Sequence, residues 1–465
     1  MTFGGNAKFV AILIMLLTIS TYVTLHMQKY DNIPLPIPDH KMVQKEHTNS
    51  ETYSNNNVIT KTFDPDVYLF SAFKVRFEEY QYPFDKNKYR VTNKHPTDVI
   101  WLNGWQRQSG KGSLFKCCIL LKNNTVVEIQ SKRANTQYPS AIRAIQYVCP
   151  IVVESNLIKL ASVVLGNKEC PADSKYYVRL NIGPTERNSN LAICTKLTYD
   201  SVDPISIVEW FETQRILGVD KVVTYPYRLN APALKVLKYY ESVGFLDIIY
   251  GFYLPEEDRI KRYQGQHVVQ AWNDQQVVVY DCMSRLWTYR YVGVFDKDEF
   301  IVPKLQHPIQ GALKSLLEEV FQSNSFAGIT LETKLHLTTW KPTVEKANLD
   351  IERFANSTHH IRDRVKNIHF PQRVIPGSVR THDYNPFRRF KRLQMPPDKA
   401  SNHHYRSCRK EWQVKVKKDK QNKFGNLTKC DAFKRSTSYD MIILANAIEK
   451  NVLRVISYLN LTKRS

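Results

Sequence analysis

The sequence predicts an α/β protein: a parallel sheet with its helices, a β-rich region before it, and a single transmembrane helix at the amino terminus. Three observations carry this. Strand-like and helix-like runs alternate from Leu191 to Leu254, short apolar β-rich runs fill Asp66 to Gly166, and Phe9–Gln28 contains no Asp, Glu, Lys or Arg. With 465 residues, 43% of them hydrophobic, the chain is long enough for two or three folded units at roughly 100–200 residues per domain.

The uncharged segment follows an eight-residue tail, 1–8. Its 20 residues match a bilayer core of about 30 Å at about 1.5 Å rise per residue. A cleaved signal peptide is the rival reading; its apolar stretch is usually shorter, about 7–15 residues, and ends in a small-x-small site. TISTYVTLHM offers no clear site of that kind. A signal anchor at 9–28 is therefore expected, with the body in the lumen of the secretory pathway. The sequons Asn123, Asn356, Asn426 and Asn460, candidate glycosylation sites, all lie beyond it. So do all eight cysteines, an even number without a C-x-x-C, which suits disulfides in an oxidising compartment. Cys408 with Cys430 is the expected pair, because no other cysteine is near them in the chain.

Residues 29–65, with PLPIPDH and HTNSETYSNNN, have no sustained hydrophobic period and are expected to form a stem. Residues 66–166 contain VYLFSAFKVRF, DVIWLNGW, LFKCCILL and TVVEIQ, broken by Gly, Asn and Lys. They are expected to form a β-rich accessory region or a first layer of the domain that follows.

That domain is expected over 167–430. LAICTKLTY is an apolar strand, SIVEWFETQRILG a helix ending at Gly218, and DKVVTYPY a second strand. APALKVLKYYESVG is a helix closed by Gly244, and FLDIIYGFYL a third strand. Such alternation implies right-handed crossovers and a parallel sheet, whose ligands bind beyond the carboxyl ends of its strands. No GxGxxG follows the first strand and no GxxxxGK[ST] occurs, so neither a dinucleotide fingerprint nor a P-loop is present. Residues 431–465, with SYDMIILANAIEKNVLRVISYL, are expected to be an amphipathic helical segment without chemistry.

The candidate chemistry lies in YVGVFDKDEFIVP, where an apolar strand ends in Asp296-Lys297-Asp298-Glu299. Alternate side chains of an extended stretch share a face, so Asp296 and Asp298 can reach one site while Lys297 points away. Two such carboxylates can hold a hard divalent cation that bridges phosphate oxygens. An acidic triplet at a strand end is also a common solvated turn; its place after three βα units favours a site.

In order along the chain, CTKLTYD, VEWFETQRILGVDKVVTY, ALKVLKYYESVG, Gly265-Gln266, DCMSR, FDKDEFIVP, THDYNPF and HHYR resemble the family 92 glycosyltransferases, over roughly Leu191–Arg406. The resemblance implies a GT-A type, Rossmann-like nucleotide-sugar-binding domain in a type II Golgi membrane enzyme using UDP-galactose and forming β1,4 linkages on glycans. It implies Mn²⁺ or Mg²⁺ on Asp296 and Asp298, with His382 of THDY as a third ligand. Lys196, Asp281, Arg285, His404 and Arg406 become candidate contacts to the donor. An inverting transfer also needs a base, for which Glu299, Glu332 and Asp383 are the candidates, Glu299 being equally placed to support the metal ligands. Two departures stand out: Lys297 where the family usually has an apolar residue, and Tyr280 where it tends to have Asn.

The formal charge of +22 suits nucleic acid, an anionic membrane surface or an anionic substrate. Residues 388–424 hold 13 Lys+Arg against three Asp+Glu, with Phe390, Tyr405, Trp412 and Phe424 among them, a mixture that would also suit a stacking groove. A luminal body meets no nucleic acid, so UDP-sugar and glycan acceptor are the expected partners. A luminal glycan-binding protein without turnover is the alternative.

Overall fold

The computed structural model describes residues 59–77, 97–107, 114–136, 142–182, 190–199, 201–253, 255, 267–305, 309–409 and 429–462. The expected tail, anchor and most of the stem, Gly265-Gln266, the sequon at Asn426 and the basic stretch from 410 to 424 lie outside these residues. Among the described residues no helix is long and apolar enough to cross a membrane. Residues 1–54 and 55–465 separate as two units, and every described residue belongs to the second.

The architecture is mixed α/β, built on two large sheets. The first contains β1 (Thr60–Lys61), β2 (Val67–Arg76), β3 (Asp98–Arg107), β4 (Phe115–Leu121), β5 (Val126–Ser131), β6 (Ala134–Thr136), β7 (Ile142–Pro150), β8 (Ile158–Leu165) and β9 (Val178–Ile182). Their order is β5-β4-β8-β9-β2-β3-β7-β6, with β1 beside β2. Two of the expected limits move. Thr60–Lys61 pair with β2, and Asp64 is buried on Lys168 Nζ at 2.8 Å, so the end of the expected stem is folded. At the other end the sheet runs past Gly166, because β9 pairs with both β2 and β8.

Strand β3 is buried on both faces, which accounts for its nearly unbroken apolar run. Ile100 and Leu102 enter the sheet's own core. Trp101 and Trp105, on the opposite face, meet Trp287 at 5.0 Å and Phe252 at 5.9 Å. The pairs Cys117–Cys149 and Cys118–Cys170 cross-link this region.

The second sheet carries β10 (Leu191–Tyr199), β11 (Lys221–Tyr227), β12 (Leu246–Ile248), β13 (Tyr291–Val294), β14 (Glu299–Pro303), β15 (Phe326–Leu337), β17 (Ile361–His369), β18 (Lys391–Gln394) and β19 (Ala400–Arg406). Its order is β12-β11-β10-β13-β17-β15-β19-β14, with β18 beside β15. Strands β10 to β13 are mutually parallel, as the alternation predicts; the remaining pairs are mixed. Strands β16 (Asn356–Thr358) and β20 (Arg435–Thr437) form a separate ribbon.

Helix α1 (Pro204–Ile216) begins with Pro in its first turn behind Asp203, whose carboxylate accepts from Ser206 N at 2.6 Å. It ends before Gly218 at φ 93°, a conformation that favours glycine. Helices α2 (Ala231–Ser242), α3 (His267–Arg285), α4 (Ala312–Val320), α5 (Asp350–Arg353), α6 (Lys429–Ala432) and α7 (Tyr439–Tyr458) complete the set among the described residues. The amphipathic α7 buries Met441, Leu444, Ile448 and Val452 in the same core as α1 and α2. Cys408–Cys430 is bonded, as its spacing suggests, and Cys194–Cys282 ties β10 to α3.

Candidate functional site

The site forms where parallel strands β10, β11 and β13 end, the edge at which such sheets bind ligands. The pairing of β10 with β11 shifts between Cys194 and Leu197, and Lys196 sits at φ 54°. A bulge re-aims a side chain, and here Lys196 Nζ lies 2.8 Å from Asp296 Oδ1 and 3.3 Å from Thr381 Oγ1. Cys194, bonded to α3, fixes the strand two residues earlier.

Strand β13 delivers the acidic turn. A Cβ on Gly293 would lie 2.3 Å from the Phe295 ring, so glycine lets that ring fold back and start the turn at Asp296. Asp296 N donates to Glu299 Oε2 at 2.9 Å, and Glu299 N to Asp296 O at 3.1 Å. Trp210 Nε1 of α1 donates to Glu299 O at 2.9 Å, and Tyr405 N of β19 to Asp298 O at 2.8 Å. Held this way, Asp296, Asp298 and Glu299 each offer a carboxylate oxygen within 4.8 Å of the others. Lys297 turns the opposite way, its Nζ donating to Thr195 Oγ1 at 3.3 Å, to Thr224 Oγ1 at 2.9 Å and to Thr198 Oγ1.

Three carboxylates this close repel one another unless cations offset them. Lys366 of β17, wholly buried, places Nζ 2.6 Å from Glu299 Oε2 and 3.2 Å from Asp296 Oδ2. His404 of β19 faces Asp298 Oδ2 at 3.0 Å through Nε2 and Glu299 Oε1 at 3.3 Å through Nδ1. The protonation pattern follows. Burial would raise the Asp296 carboxyl, but Lys196 and Lys366 outweigh it and hold it well below the usual range. Burial dominates at Glu299 and, with Asp296 and Asp298 adding to it, pushes its carboxyl up against the pull of Lys366. Burial opposes charge on His404, yet Asp298 and Glu299 raise it. Lys297, half-buried among hydroxyls, is lowered by desolvation to about 7 with only Asp296 opposing.

His382 is held by β17: its Nδ1 lies 3.0 Å from the Val365 carbonyl. A carbonyl only accepts, so Nδ1 carries the hydrogen and Nε2 keeps its lone pair, the tautomer a metal-ligating imidazole uses. Burial, then Lys366, lower its pKa to about 4, so the ring is neutral. It stands outside the three-carboxylate group, which is the only such group among the described residues. The donor types suit a hard divalent ion, and Glu299 Oε1 is buried with no hydrogen bond, its charge partner His404 Nδ1 lying at 3.3 Å. The acidic turn could therefore hold a metal.

The other expected site residues are placed differently. Asp281 of α3 is fully buried, accepting from Tyr225 OH at 2.6 Å and Arg285 Nε at 2.7 Å. The Arg285 guanidinium lies over Phe73 of the first sheet, 5.0 Å from the ring centroid. As placed, the pair joins α3 to both sheets, with Asp281 engaged by partners inside the protein. Glu332 of β15 is buried and pairs with Arg362 at 2.7 Å, while Asp383 is half-exposed and pairs with Arg392 at 2.5 Å. Neither contacts the acidic turn through any of these bonds. Arg406, at the end of β19, donates to Ser407 O at 3.4 Å. Of the sequons, Asn123 and Asn460 are exposed, whereas Asn356 accepts from Thr437 Oγ1 at 3.0 Å inside the β16–β20 ribbon.

Sequence reasoning missed Lys366 and the threonine cage. A signal for Lys366 existed: in Lys366-Asn367-Ile368-His369 the lysine shares a face with Ile368, which enters the main core. Thr195 and Thr198 flank Lys196, but Thr224 comes from another strand, and only the sheet brings the three together.

Residues 189–438 match the model of glycosyltransferase family 92. No curated protein matches the chain.

Proposed function

Because this chain belongs to glycosyltransferase family 92, we propose that it moves a hexose, galactose first among the candidates, from a UDP-sugar to a glycan acceptor on glycoprotein or glycolipid, inverting to a β linkage. The observation that carries this reading is the acidic turn Asp296–Glu299 at the carboxyl ends of β10 and β13, with cationic side chains around it. The four bonded cysteine pairs support an oxidising compartment. We place the protein in the Golgi membrane, anchored by residues 9–28 with its body in the lumen.

Asp298, with Asp296, Glu299 and His382 at hand, would hold Mn²⁺ or Mg²⁺, which when bound offsets charge developing on the departing UDP. Lys196 and His404 set the positive charge at this edge of the sheet, where an anionic diphosphate is favoured. Among the three candidate bases, Glu299 and Glu332 are buried. The Asp383 carboxylate, 48% exposed and next to His382, is the one an acceptor hydroxyl can approach, so we assign it the proton-accepting role. Lysines on the oxygens of Asp296 are the observation that favours a second reading, a luminal glycan-binding protein without turnover.

UDP release with Mn²⁺, a panel of UDP-sugars and a mixed N-glycan acceptor separates the two. An enzyme releases UDP with one donor above the rest, and Asp298→Ala lowers that release at least ~100-fold with folding intact, the scale of losing a main electrostatic stabiliser. Undiminished turnover in Asp298→Ala would sink the assigned role of the turn.

A further inference from the structure

Lys366 is a charged side chain at this site that lies outside the acidic motif, on a distant strand. It lies on β17, opposite Leu331 of β15, and it is wholly buried beneath the acidic turn. Its Nζ contacts Glu299 Oε2 at 2.6 Å and Asp296 Oδ2 at 3.2 Å. Lys196 Nζ takes the remaining oxygen of Asp296 at 2.8 Å. Both oxygens of Asp296 and one of Glu299 thus face ammonium groups, and a divalent ion bound there would use the same oxygens.

A buried ammonium with two carboxylate partners is expensive to remove and hard to displace. Without it, Asp296, Asp298 and Glu299, within 4.8 Å of one another, would repel and the turn would open or take up protons. With it, the turn keeps its shape before any ion arrives. The same contacts work against an entering divalent cation in two ways: a fixed positive charge repels it, and two of its ligands are already engaged.

We propose that Lys366, together with Lys196, is a positioning residue that serves as the turn's resident counter-cation, and that this lysine pair sets metal affinity by competing with the ion for Asp296 and Glu299. This rests on the reading above that the turn takes a divalent ion. Its consequences are a site assembled in the absence of metal and a deliberately modest hold on it, with Asp298, whose carboxylate is 48% exposed, as the point of entry.

The test uses the purified full chain with Mn²⁺ alone, neither donor nor acceptor, and reads free Mn²⁺ by electron paramagnetic resonance. Lys366→Met keeps the side-chain length and removes the charge; it should bind Mn²⁺ at least about tenfold more tightly than wild type, since a unit charge a few ångströms away acts strongly on a divalent ion. Lys366→Arg, which keeps the charge, should stay within about twofold. Asp298→Ala added to Lys366→Met should abolish the tightened binding, which places it at the turn. If Lys366→Met does not fold, Lys196→Met decides in its place, with the same direction expected. Unchanged or weaker Mn²⁺ binding in the folded methionine variant overturns the competition while leaving the metal reading intact. No Mn²⁺ binding by wild type or any variant overturns both.

Discussion

His369 makes a sharp test of how far burial alone controls protonation in this fold. It ends β17, pairing with Val292 of β13 and Gly328 of β15. Its ring is buried, lies 5.5 Å from the Tyr384 ring at 20°, and has no hydrogen bond on either nitrogen. Burial is the sole cause moving its pKa, which falls to about 3. In the unfolded chain a histidine titrates near 6.5. As pH falls through that value the unfolded chain takes up a proton that the folded protein refuses, so stability is lost progressively from about pH 6.5 downwards. The loss at pH 5 is RT ln(1 + 10^1.5), about 2 kcal/mol, and depends hardly at all on how far below 5 the folded value lies. His369→Phe keeps an aromatic ring on Tyr384 and leaves no nitrogen to protonate. Chemical denaturation at pH 7.5 and pH 5.0 should show the variant losing about 2 kcal/mol less between the two pH values than wild type. At pH 7.5 it should be no less stable, since no hydrogen bond is removed. An acid-induced loss identical in the two proteins would refute the reasoning.

Other consequences are equally measurable. His336 and His403, hydrogen-bonded to each other at 2.9 Å and buried, are both shifted down; the same sign applies, so stability should fall more steeply below about pH 6.5 than one histidine explains, as a pH series of denaturation midpoints would show. Tyr225→Phe removes the 2.6 Å donor to buried Asp281 and should cost about 1.5–3 kcal/mol of stability, the range for a bond to a charged group. UDP affinity by calorimetry should be unchanged, because the bond lost is internal to the protein, on a fully buried carboxylate. Replacing Cys194 and Cys282 by alanine opens a closure of 88 residues, worth about 4–5 kcal/mol by chain entropy, against about 3 kcal/mol for the 22-residue Cys408–Cys430 closure. Denaturation of the two double variants should rank them in that order.

What was legible in the sequence was local. Helices α1 and α2 announce themselves by apolar spacing and by Gly218 and Gly244 beyond their ends, and the strands between them follow as parallel by the rule of crossovers. Asp296 and Asp298 are assigned to one site by their spacing, although it is a turn, closed by Glu299 N on Asp296 O, and not an extended strand that brings them together; Cys408 pairs with Cys430 because the chain between them is short. Each of these is decided by neighbours along the chain, so the sequence by itself determined the α/β class, the parallel strands and the acidic turn at the end of β13.

The tertiary structure alone decided the electrostatic setting of that turn. Lys366 lies 70 positions from Asp296, and only the pairing of β17 with β13 and β15 brings its ammonium beneath the carboxylates. A bulge, not the residue type, aims Lys196 at Asp296, and Thr224 reaches Lys297 only because β11 lies beside β10. The same dependence gives Asp281 and Arg285 their contacts with Tyr225 and Phe73, partners from two different sheets. A charge's energy depends on what surrounds it within a few ångströms and on whether water is excluded there, and both are set by the register of distant strands.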